Sequence, residues 1–111
     1  MHVNILGVDY EIVFQTKEQN SKLSNYDGLS ELYSHKLIIP TGYENDATVF
    51  DNIDEYKLQV IRHEIMHAIF HESGLSNYCN DENLVDFLAI QFPKIYKIMK
   101  DAEEQYRNNQ E

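Results

Sequence analysis

The sequence predicts a single α+β domain, with a small three-stranded sheet in its first part and two helices after it. Three observations carry this reading. β-branched and aromatic residues cluster in short runs before Pro40, as strands require. After Asp51 the apolar residues recur instead at i, i+3 and i+4, the helical period. A chain of 111 residues that is 42% hydrophobic and 25% charged can bury one modest core and has no room for a second lobe.

Each element follows from local chemistry. Val3–Leu6 and Tyr10–Phe14 flank Gly7-Val8-Asp9 and read as a hairpin. Residues 17–30 are polar, contain the turn signal Asn25-Tyr26-Asp27-Gly28 and read as a loop. Lys36-Leu37-Ile38-Ile39, stopped by Pro40, reads as a third strand near a sheet edge. Thr41 to Asp51 is a further loop. The first helix is expected to start near Asp51 or Asn52 as cap, with Asp54 and Glu55 on the positive end of its dipole. It should stop at Ser73-Gly74. Leu58, Ile61, Ile65, Ala68 and Ile69 form its main stripe, while Val60, Met66 and Phe70 lie off it. A helix apolar on several sides is covered on several sides, so this is the central one.

The second helix should begin after Leu75–Asn80, capped by Asn80 or Asp81. Its stripe runs through Leu84, Leu88, Phe92, Ile95 and Met99, with Pro93 expected to kink it or open a new helix. Residues 1–100 then make the domain, and 101–111 a solvated, frayed tail.

Composition excludes several functions. Nine Lys+Arg against 19 Asp+Glu give a formal charge of −10. Nucleic acid is therefore not an expected partner, because phosphate binding rests on clustered cations. An anionic membrane surface is disfavoured on the same ground, and no apolar run is long enough to span a bilayer. The opening MHVNILGVDYEIVF has no basic segment before a long apolar run, so no secretion signal is expected. A lone Cys79 forms no internal disulfide and suits a reducing cytoplasm.

The chemistry concentrates in His63-Glu64-Ile65-Met66-His67, an HExxH sequence on the central helix. Histidines four apart lie about 40° apart around a helix and one turn apart along it, so both rings reach one ion. Neutral imidazole is a good ligand for Zn²⁺. Glu64 points beside the pair, placed to act as general base on a water at the metal. A catalytic zinc needs a third protein ligand and an open position. Glu82, after a 14-residue gap, would supply it. Asp86, one turn further on, could accept a ring N–H from a ligand histidine. Cys79 is a competing ligand, although a thiolate there would make the site look structural. His71 lies about 12 Å along the helix from His63 and cannot share the ion. It is a polar residue at the rim, available to a substrate.

With HExxH followed by a helix bearing ExxxD, the chain resembles the gluzincins. More closely, it resembles small phage- and prophage-encoded zincin-like metallopeptidases. The likeness runs from residue 3 to about residue 98. It includes Gly7-x-x-Tyr10-x-Ile12, Asp27-Gly28, Arg62–Ala68, Glu72–Leu75, Glu82-x-x-Val85-Asp86 and Gln91–Ile95. The resemblance implies a minimal zincin-like fold with a small sheet packed on the HExxH helix. It also implies one zinc on His63, His67 and Glu82, Glu64 as base and Asp86 supporting a ligand. It further implies a protein or peptide substrate in a bacterial host cytoplasm, lying as an extra strand along Leu37-Ile38-Ile39. The larger members add a His or Tyr for the oxyanion, and neither Tyr78 nor His71 can be assigned that part from sequence. The rival expectation is a non-catalytic, zinc-stabilised phage protein that binds a host protein.

Overall fold

The computed structural model describes residues 1–42 and 52–110. The loop expected up to Asp51 lies mostly outside them, as does Glu111. Strand β1 (His2–Ile5) turns back into β2 (Val8–Gln15). The two residues between them, Leu6 and Gly7, both have positive φ, 52° and 93°. That is the backbone a two-residue hairpin needs to match the strand twist, and the Asn4 side chain accepts from Gly7 N at 2.8 Å.

A 3₁₀ turn (Ser21–Ser24) leads to β3 (Leu29–Glu31), and a further turn leads to β4 (Lys36–Pro40). Among the described residues the sheet therefore has four strands, in the order β1-β2-β4-β3. β4 runs parallel to β2, with Ile12 opposite Leu37, and antiparallel to β3, with Ser30 opposite Leu37. This corrects the sequence reading twice. A three-residue strand inside a polar stretch is too short to show alternation, so β3 was read as loop. And Leu37-Ile38-Ile39 is not an edge, since β4 is bonded on both sides. Pro40 lacks an amide only at the strand's last position, where Thr41 N reaches Gln15 O at 2.9 Å and prolongs the pairing.

Alternation along the strands builds the core. Tyr10 and Ile12 of β2 and Leu37 and Ile39 of β4 are buried together with Ile5, and successive side chains of a strand point to opposite faces. Against them lies α1 (Ile53–Glu72), contributing Val60 and Ala68, with Tyr56, Ile61, Ile65 and Ile69 partly buried beside them. Asn52 caps α1 by accepting from Glu55 N at 3.3 Å. Gly74, with φ of +80°, follows its last turn.

A four-residue helical turn, α2 (Ser76–Cys79), carries the chain into α3 (Glu82–Asn108). Asp81 caps α3 by accepting from Leu84 N. Two features of α3 depart from the sequence reading. Residues 101–108 continue the helix instead of fraying, although all are exposed. And of the two outcomes expected for Pro93, a new helix does not occur, since α3 runs through it from Glu82 to Asn108. A proline has no amide for the carbonyl four residues back, here Ala89. That carbonyl instead accepts from Arg62 Nε of α1 at 2.8 Å. One bond thus replaces the missing helical donor and ties α3 to α1. Among the described residues no helix is long and apolar enough to cross a membrane.

Candidate metal centre

α1 presents His63 and His67 on one face, and the α1–α3 packing brings the first turns of α3 against them. Glu82 Oε2 lies 3.0 Å from His63 Nε2, and Glu82 Oε1 lies 3.1 Å from His67 Nε2. The two Nε2 atoms are themselves 3.1 Å apart.

The outer nitrogens determine what these inner ones are. His63 Nδ1 donates to Asp86 Oδ1 at 2.8 Å. His67 Nδ1 donates to the carbonyl of Cys79. Both partners can only accept, so each neutral ring carries its proton on Nδ1 and turns an unshared Nε2 pair inward. In that neutral form two nitrogen lone pairs and the Glu82 carboxylate converge. Such a donor set can hold a cation. Donors about 2.0–2.2 Å from a tetrahedral Zn²⁺ lie roughly 3.3–3.6 Å from one another, a few tenths of an ångström wider than the 3.0–3.1 Å seen. His63, His67 and Glu82 therefore fit the metal expected from sequence, and they form a group able to hold one ion.

Glu64 stands beside them. It is 4% exposed, and its Oε2 is 4.0 Å from His63 Nε2. Ser30 of β3 donates to its Oε1 at 2.9 Å. Burial pushes the Glu64 carboxyl above its ordinary value and Glu82 adds to that, while the Ser30 bond and the two imidazoles pull it down. The net direction is upward, so burial wins. Gly28 lies so close that a Cβ there would meet Glu64 Cγ, Cδ and Oε2 at 3.1 Å. The Asp27-Gly28 turn thus lets the backbone approach the carboxylate. These groups line a cleft of ≈ 470 Å³, walled by Asn25–Gly28 on one side and by Tyr56, Gln59 and Val60 of α1 on the other.

Five sequence-predicted residues meet here: His63, Glu64, His67, Glu82 and Asp86. The others do not. Leu37, Ile38 and Ile39 are buried in an interior strand and offer no edge for an added strand. His71 packs edge-on against Tyr33, ring centres 5.2 Å apart. Tyr78 packs against Phe70. Cys79 is buried, and its thiol donates to the carbonyl of His67 at 3.3 Å. It serves the site through its backbone oxygen. Sequence reasoning missed Ser30 and this carbonyl. A lone serine in a polar stretch carries no signal, and a backbone acceptor carries none at all.

No family model, curated protein or solved structure matches the chain.

Proposed function

We propose that the chain is a zinc-dependent metallopeptidase in which Glu64 is the general base. The observation that carries this is the pairing of a nearly buried carboxylate with three converging metal-ligand atoms in one cleft. A purely structural ion needs no such neighbour, and an uncompensated buried Glu is costly.

His63, His67 and Glu82 would hold the ion, with Asp86 and the Cys79 carbonyl fixing both rings. A Zn²⁺ bound there supplies Lewis acidity, which acidifies water and polarises a carbonyl oxygen. Glu64 takes the proton of the attacking water and passes it to the leaving amine. Ser30 keeps one Glu64 oxygen engaged and leaves Oε2 on the His63 side. The open edge nearest the site is β3, among the described residues, and an extended peptide would add there by backbone pairing.

The test is peptide cleavage by the zinc-loaded chain beside Glu64→Gln, with unfolded polypeptides as substrates. The variant should bind one zinc per chain and lose about 10²–10⁴-fold in turnover, the usual weight of a general base. Equal cleavage by both proteins would refute the mechanism. The alternative is a non-catalytic, zinc-stabilised protein that binds a host protein. It draws on the exposed apolar face of α3 and expects zinc binding with no cleavage by either form.

A further inference from the structure

We propose that the C-terminal half of α3 pairs antiparallel with the same segment of a second copy of the chain, forming a twofold dimer. α3 has 27 residues, about 40 Å of helix, yet only its beginning is packed. Val85 and Ala89 are buried, whereas every residue from Asp101 to Gln110 is exposed. The helix therefore projects. The Cα radius of gyration is 16.6 Å and the longest dimension 60 Å, against a radius of about 13 Å for a compact chain of this length.

The projecting part is not a polar spacer. Phe92, Ile95, Met99, Ala102 and Tyr106 follow one another at alternating steps of three and four, the seam of a two-helix pairing. Phe92, Met99 and Tyr106 are 49%, 59% and 67% exposed. A free helix of this length is marginal in water, so a cover for the seam would also hold the helix together.

Two features select a second copy as that cover. The first is charge order. Lys94, Lys97 and Lys100 come before Asp101, Glu103 and Glu104, and Lys97 pairs with Asp101 across the reversal at 3.0 Å. A parallel pair would set lysines beside lysines. An antiparallel pair centred between Lys100 and Asp101 sets Lys100 beside Asp101 and Lys97 beside Glu104 of the other copy, two opposite-charge pairs in each direction against the one like pair of Lys94 with Arg107. The second is the seam in that same register. Met99 of one copy falls opposite Ala102 of the other, large against small, and Ile95 falls opposite Tyr106. Asn108 reaches only as far as Pro93, so the overlap ends where α3 begins to pack on its own domain. Two independent patterns thus give one twofold centre, as a self-complementary interface must. The interface is short, near the size of about 1,000 Å² that bounds weak specific dimers, so association in the micromolar range is expected.

Sedimentation equilibrium of the full chain, from low micromolar to near-millimolar concentration, tests this. The mass should rise from 13.1 kDa toward twice that value. Met99→Glu should weaken dimerisation by about tenfold or more, while its circular dichroism matches that of the unaltered chain when both are diluted to monomer. Orientation is read separately. Mixed Met99→Cys and Ala102→Cys chains should oxidise to the mixed disulfide in preference to either symmetric one, with native Cys79 buried. A monomer at every concentration overturns the proposal. So does a dimer indifferent to Met99→Glu, or one in which Met99→Cys links mainly to itself.

Discussion

Replacing Arg62 with Met would separate the helical donor lost at Pro93 from everything else Arg62 does. The aliphatic stem is kept and the guanidinium is removed. Ala89 is 1% exposed, so its carbonyl would be left buried with neither the Arg62 Nε donor nor an amide at position 93. A buried acceptor without a partner costs about 1–3 kcal/mol. Taking about 2 kcal/mol, and about 4–8 °C per kcal/mol for a domain near this size, Tm should fall by roughly 10 °C. Pro93→Ala restores the amide that the Ala89 carbonyl lacks. In that background Arg62→Met should cost at least about 1 kcal/mol less, a coupling within the usual range for groups in contact. The assay is urea unfolding of the four proteins of the cycle, all metal-free, so that any effect on the neighbouring His63 does not enter. If Arg62→Met costs the same in both backgrounds to within about 0.5 kcal/mol, the Arg62 bond is not standing in for the missing amide, and the account of Pro93 fails.

Two further outcomes follow from the site and the core. Asp86→Ala should keep the three donor side chains yet weaken zinc binding about 10–100-fold, as loss of a ligand's hydrogen-bond partner does; competition with a zinc-binding dye measures it, and unchanged affinity would separate Asp86 from the site. Tyr10 is fully buried and donates to Glu72; burial first, then the Glu72 bond and charge, hold its ionisation well above the ordinary 10.0. The unfolded chain therefore loses this proton near pH 10 while the folded chain keeps it, so stability must fall as pH rises past about 10. Tyr10→Phe should flatten that alkaline slope, at a cost of about 1 kcal/mol for the lost hydrogen bond; an unaltered slope in urea titrations across this pH range would show that Tyr10 does not set it.

What could be read from the sequence was what is local. The caps at Asn52 and Asp81, the stop at Gly74 and the shared faces of His63–His67 and Glu82–Asp86 all depend on residues within four positions of one another. What could not be read was what depends on pairing across the chain. β3 has too few residues to declare a period, and its partner, β4, is recognised only once the sheet is assembled. The same pairing turned Leu37-Ile38-Ile39 from an expected edge into an interior strand. Pro93 was read by its local rule, as a kink or a new start, because the donor that compensates it comes from 31 positions earlier. The motif set Glu64 beside the two histidines, but the hydrogen bond it receives from Ser30 left no signal in the sequence.

The carbonyl of Cys79 that orients His67 has a consequence for folding order. The three converging donors, Glu64, Asp86 and the Cys79 carbonyl all come from the continuous stretch 63–86, and the sheet is joined by the long-range pairing of β2 with β4. Short loops close at lower entropic cost than long ones, so this helical hairpin can assemble, and take up an ion, before the parallel strands meet. Zinc is then expected to accelerate folding as well as to slow unfolding, since a stabiliser raises the folding rate only if its contacts exist in the transition state. Stopped-flow refolding with and without zinc reads this directly, and a folding limb that zinc leaves in place would put the sheet first.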